Sequence, residues 1–148
     1  MYSNLVSIIM PAFNTAKTIS ESIESVIGQD YQNWELIIIN DSSSDNTSEV
    51  VASYQLKDGR INLLSVGDNL GPAGARNLGI QVSRGRWIAF LDSDDLWCQG
   101  KLTSQLDFHK SNRIALSYTQ FRRISFDGQV TGHLISAPAM ISYNQLLG

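Results

Sequence analysis

Cysteine is nearly missing from this 148-residue chain: Cys98 stands alone. That excludes an internal disulfide framework and any multi-cysteine zinc site, and it fits a reducing, cytoplasmic setting. Basic residues are not in excess; 11 Lys and Arg against 14 Asp and Glu give a net charge of −3, so nothing points to a nucleic-acid backbone. No apolar run approaches the ~20 residues that span a bilayer, and no basic stretch followed by a long apolar one opens the chain. Peripheral attachment to a membrane stays open, although no basic amphipathic helix argues for it. A phosphate-cradling loop ending in Gly-Lys-Ser/Thr is absent, and so is a Gly-x-Gly-x-x-Gly turn after the first apolar run. Disorder is excluded by what is present, 43% hydrophobic and 17% charged residues. The length fits one domain, with residues 1–148 read as a single unit.

What the chain does have is alternation. Leu5–Met10 is β-branched and apolar, a buried strand that Pro11 is expected to stop. From Ala16 the period turns helical, with Ile19, Ile23, Val26 and Ile27 on one stripe and Glu21 and Glu24 off it. Trp34–Ile39 reads as a second buried strand, ending in the polar loop Asn40-Asp41-Ser42-Ser43-Ser44-Asp45. A helix over 47–54, a strand over 61–66 and a helix from Pro72 to about Ser83 follow. In that last helix Ala75, Leu78 and Val82 are expected to pack. Strand–helix alternation of this kind means an α/β fold: a mostly parallel sheet with helices on both faces. Beyond residue 100 the pattern changes. Arg113–Ile124 alternates like a strand, Asp127-Gly128 is a turn, Gln129–Ile135 fits an antiparallel partner, and Ser142 would cap a last helix.

The fourth apolar run, Arg86–Leu91, ends in Asp92-Ser93-Asp94-Asp95. It reads as a strand buried on both faces. In an extended chain residues i and i+2 share a side, so Asp92 and Asp94 project together. Clustered carboxylates repel unless a cation lies between them, and a hard divalent ion is the natural candidate. The plainer reading is a solvated loop whose Asp94 or Asp95 caps the next helix. Parallel strands bring their carboxyl-end loops to one sheet edge. That gathers Phe13-Asn14, Asn40-Asp41 and Asp92–Asp95, with Arg76 near a helix start at Pro72. Metal ligands, an arginine and helix-end amides together suit a polyphosphate.

These blocks resemble the family 2 glycosyltransferases, which have the GT-A fold. Val6-Ser7-Ile8-Ile9-Met10-Pro11-Ala12-Phe13-Asn14 is similar to the family's opening strand, and Trp34–Asp45 to its second strand and nucleotide loop. Asn69–Gly79 resembles the third block, and Ala89-Phe90-Leu91-Asp92-Ser93-Asp94-Asp95-Leu96-Trp97 the Asp-x-Asp motif. The resemblance covers about the first 105 residues. It implies a nucleotide-diphosphate sugar donor, most often a UDP-sugar, with Mn²⁺ or Mg²⁺. Carried over by position, Pro11, Phe13, Asn14 and Asp41 would line the nucleoside pocket, and Asp41 would read the uracil edge. Pro72 and Arg76 would contact the nucleotide. Asp92 and Ser93 would lie near the ribose or sugar, and Asp94 and Asp95 would serve the metal.

The family implies transfer to an acceptor hydroxyl with inversion, as in bacterial surface polysaccharide or lipid-linked glycan synthesis. Such an enzyme would be cytoplasmic or at the inner face of the membrane. Family members usually carry their catalytic base and acceptor site further along the chain, and Asp107, Asp127, His109 and His133 stand in no family motif. A donor-binding module without catalysis is therefore a second reading. A nucleotidyltransferase is a third, although its Gly-rich basic loop after the first strand is missing. Ser42 stands where many members have glycine, a residue that reaches positive φ more readily. The face around Tyr118, Phe121 and Phe126 is a candidate for meeting further chain or a second copy.

Overall fold

The computed structural model describes residues 4–112, 114–125 and 128–138. Its elements are β1 (Val6–Ala12), α1 (Ile19–Ile27), β2 (Trp34–Asn40), α2 (Thr47–Gln55), β3 (Ile61–Ser65), α3 (Gly71–Val82), β4 (Trp87–Phe90) and α4 (Lys101–Asn112). The chain divides into two compact units, Met1–Ser104 and Gln105–Gly148. In the first, four parallel strands lie in the order β3-β2-β1-β4.

The order follows from the sequence pattern. β2 is buried at all seven positions, which requires cover on both faces. α1 and α2 pack together, while α3 lies against β1 and β2. The chain moves outward from β1 to β3 and then crosses back to β4. With right-handed crossovers that reversal puts α3 on the face opposite α1 and α2. Ile37, Ile39 and Ala75 form a core cluster, with Leu64 and Leu78 packed against it. A Cβ added to Gly79 would sit 2.5 Å from Ile9 Cγ2, so this glycine sets how closely α3 approaches β1.

Several expectations are corrected. β1 runs through Pro11 to Ala12, with Pro11 opposite Ile39. Alternate strand residues address opposite neighbours, and Ile9 O accepts from Leu91 N on the β4 side. The N–H that Pro11 lacks would point that way too, past the end of β4, so no ladder bond is lost. β4 is an edge strand, not one buried on both faces: Ile88 and Phe90 are 39% and 46% exposed, because α3 covers β1 and β2 instead. Val82, expected to pack, is exposed at the end of α3.

Two polar residues inside the apolar strands have a reason. The Ser7 hydroxyl donates to Glu35 Oε1 at 2.6 Å, and Arg84 donates to both Glu35 oxygens. Burial pushes the Glu35 carboxyl up, but these donors outweigh it and hold it below its ordinary value. The network pins the joint between α3 and β4, where Gly85 N donates to Ser7 Oγ.

Among the described residues of the second unit the antiparallel pairing expected there is present as isolated bridges, Phe121 with Ile135 and Ile124 with Val130, and not as continuous strands. Leu116, Tyr118, Phe121 and Val130 are exposed there, so no packed face fixes a longer ladder. Arg113, Phe126, Asp127 and the helix expected from Ser142 lie outside the described residues.

Candidate functional site

In this strand order the direction of winding reverses between β1 and β4, and open α/β sheets bind ligands at such a reversal, beyond the carboxyl ends. A cavity of about 300 Å³ lies there. The end of β1 contributes Pro11 and Ala12, the loop after it Phe13 and Thr15, and the loop after β2 Asp41. Asn69 comes from just before α3, Gly71, Pro72 and Arg76 from its first half, and Asp92, Ser93 and Asp94 from the turn after β4.

Asp41 is 3% exposed, yet it lines the cavity. Its Oδ1 accepts from Leu70 N at 2.7 Å, and its backbone oxygen accepts from Asn69 Nδ2 at 3.1 Å. Those bonds fix the carboxylate and leave Oδ2 for a ligand donor. Ser42 takes φ of 62°, the conformation that glycine supplies more cheaply. Its hydroxyl lies 2.8 Å from Gly67 O and 3.2 Å from Val66 O, which offsets the strain and ties the β2 loop to the chain leading into α3. Phe13 is half exposed beside the cavity, free to flank a planar group.

Arg76 pairs with Asp92 through its Nη2. Asp94 has no ion-pair partner among the described residues, and neither does Asp95. Partial desolvation, then the charges of Asp94 and Asp92, push the Asp95 carboxyl up. The turn therefore carries negative charge that Arg76 only partly meets. Among the described residues no group of three or more His, Cys, Asp or Glu could hold a metal ion. A hard cation at this turn would therefore need phosphate oxygens and water to complete its shell, as Mg²⁺ accepts.

Two of the expected residues do not line the cavity. Asn14, at φ of 54°, accepts from Ser44 N at 2.8 Å on its Oδ1 and donates its own N–H to Ser43 Oγ at 3.0 Å. It bolts the loop after β1 to the loop after β2. Asp95 closes the acidic turn through its N–H to Asp92 O at 3.1 Å. Ala12, Thr15, Asn69 and Gly71 line the cavity beyond the expected residues. Asn69 had a signal: its Oδ1 accepts from Gly71 N, the turn expected of an Asn just ahead of a Pro-started helix. His109, weighed as a base, has its ring against Ile114 O and Ser117 Oγ in the second unit.

The parallel sheet and the cavity at its switch point define an α/β domain of the GT-A type. A family model for Glycosyl transferase family 2 matches residues 7–146, and the chain belongs to that family. It is 46% identical over 143 residues to the Escherichia coli UDP-Glc:alpha-D-GlcNAc-diphosphoundecaprenol beta-1,3-glucosyltransferase WfgD, covering 97% of this chain and 55% of that protein. It is 37% identical over 143 residues to the putative teichuronic acid biosynthesis glycosyltransferase TuaG of Bacillus subtilis, covering 97% and 57%. The chain spans about half the length of the curated relatives it matches. Among solved structures, S. aureus TarS 1–349 in complex with UDP-GlcNAc superposes with a TM-score of 0.69 at 28% identity, covering 76% of this chain and 32% of that one.

Proposed function

We propose that these residues form the donor-binding part of an inverting glycosyltransferase that uses a UDP-sugar and builds a bacterial surface glycan on a lipid-linked acceptor. The observation that carries the reading is one cavity lined by a buried carboxylate with a free oxygen, Asp41, by Arg76, and by the Asp92–Asp94 turn. UDP-GlcNAc bound to TarS and the UDP-Glc in the name of WfgD support the choice of nucleotide.

Asp41 Oδ2 would accept from the uracil N–H, with Phe13 and Pro11 against the ring. Asp92 and Ser93 would face the ribose or sugar. Arg76, half engaged by Asp92, would turn its remaining donors to the diphosphate. Asp94 would hold Mn²⁺ or Mg²⁺ together with the phosphate oxygens, and Asp95 would add negative charge beside it. A metal bound there supplies Lewis-acid neutralisation of the departing diphosphate. Inversion needs a base on the far face of the sugar, and we place that base in the part of the longer relatives that this chain does not span. Among the described residues no helix is long and apolar enough to cross a membrane. We place the meeting with a lipid-linked acceptor at the membrane's cytoplasmic face.

Calorimetry of this chain with UDP, GDP and ADP, each with Mn²⁺, tests the donor assignment. UDP should bind at least about tenfold more tightly than the others, because a site built around one base edge leaves its buried acceptor unpaired with the wrong one. Equal affinities would remove the base-reading role of Asp41.

A further inference from the structure

α1 buries an apolar stripe against the sheet, but a second stripe on it is polar. Thr18, Ser22, Ser25 and Gln29 recur at intervals of four, three and four, one helical face. Three of them hold the chain that follows β4. Thr18 Oγ1 donates to Ser93 O at 3.0 Å. Ser25 Oγ accepts from Trp97 N at 3.2 Å. Gln29, 2% exposed, donates to Cys98 O at 3.0 Å and accepts from Leu102 N at 3.2 Å. Backbone from Ser93 to Leu102 is thereby fastened to one helix by side chains about 70 residues earlier.

Thr18 is the telling member. It stands at the N-cap of α1, where a threonine hydroxyl ordinarily accepts from the helix's own free N–H groups. Here it makes no such bond. Its shorter bond goes to the carbonyl between Asp92 and Asp94, both of which line the cavity, and Thr15 O lies further off at 3.4 Å. Asp95 N to Asp92 O closes the same turn.

We infer that Thr18 is a positioning residue for the acidic turn: its bond to Ser93 O, on the peptide that leads into Asp94, sets where the Asp94 carboxylate stands, and the Ser25–Gln29 part of the stripe anchors the chain behind it. This rests on the diphosphate-and-metal reading above. Groups that orient metal ligands commonly change metal affinity 10- to 100-fold when removed. Because the Thr18 hydroxyl does not cap α1, Thr18→Val removes the tether without removing a helix cap.

The test measures UDP affinity of the chain with and without Mn²⁺, for the wild type, Thr18→Val and Thr18→Ser. In Thr18→Val the gain in affinity from Mn²⁺ should shrink about tenfold, while affinity without Mn²⁺ stays within about twofold; Thr18→Ser should restore the gain. Amide exchange at Asp95 in metal-free Thr18→Val should quicken, while that in β1 and β2 is unchanged. An unchanged Mn²⁺ gain in Thr18→Val, or an equal loss with and without Mn²⁺, overturns the inference alone. A wild-type chain that binds UDP but ignores Mn²⁺ overturns the metal reading and this inference together, and one that does not bind UDP overturns the whole donor-site reading.

Discussion

At the scale of single residues, the site depends on how each carboxylate's oxygens are spent. Asp41 gives one to the Leu70 N–H and keeps the other for a ligand. Asp41→Ala should therefore weaken UDP by about 2 kcal/mol, the range of a hydrogen bond to a charged group, by the same factor with and without Mn²⁺. Calorimetry on the two samples checks this, and a loss confined to the Mn²⁺ sample would move Asp41 to the diphosphate end. Which residues gather was readable: Pro11, Phe13, Asp41, Asp92, Ser93 and Asp94 at or just after strand ends, with Pro72 and Arg76 from α3, all line one cavity. Partners distant in sequence were not. Nothing local to Asn14 says that its oxygen is claimed by Ser44, 30 positions on. Nothing local to Ser42 says that carbonyls 24 and 25 positions away stabilise its positive φ.

At the scale of elements, apolar periodicity located β1, β2, β3 and the three helices between the strands, since each buries a stripe or a face. It did not separate an edge strand from a central one. β4 is as apolar as β2, but its burial depends on what lies beside it, which is a tertiary fact. The alternation over 113–124 indicated an antiparallel partner, and Phe121 and Ile124 do bridge to Ile135 and Val130, but period two makes a continuous strand only where a covering face exists as well. α3 approaches β1 closely at Gly79, where an added Cβ would lie 2.5 Å from Ile9 Cγ2. Gly79→Ala gains under about 1 kcal/mol of helix propensity, but overpacking against the fully buried Ile9 costs about 1–3 kcal/mol. Thermal unfolding should fall by several degrees, while Gly59→Ala, with nothing within 4 Å, should leave it nearly unchanged. A midpoint for Gly79→Ala equal to or above that of the wild type would contradict the close packing.

At the scale of the whole molecule, the order of strands decides the function. Alternation alone implies a parallel sheet but not where its winding reverses; that reversal is what sets the loops after β1 and β4 beside one another. The family blocks supplied the rest in advance, because their spacing already encodes this topology. The chain spans about half of its curated relatives. In the proposed function the acidic turn after β4 holds the donor's diphosphate through a divalent cation. The most direct measurement is UDP affinity of wild type and Asp94→Asn, each with and without Mn²⁺. The wild type should bind more tightly with Mn²⁺, Asp94→Asn should lose that gain, and the two should agree without metal. A Mn²⁺ gain that survives in Asp94→Asn would contradict the account.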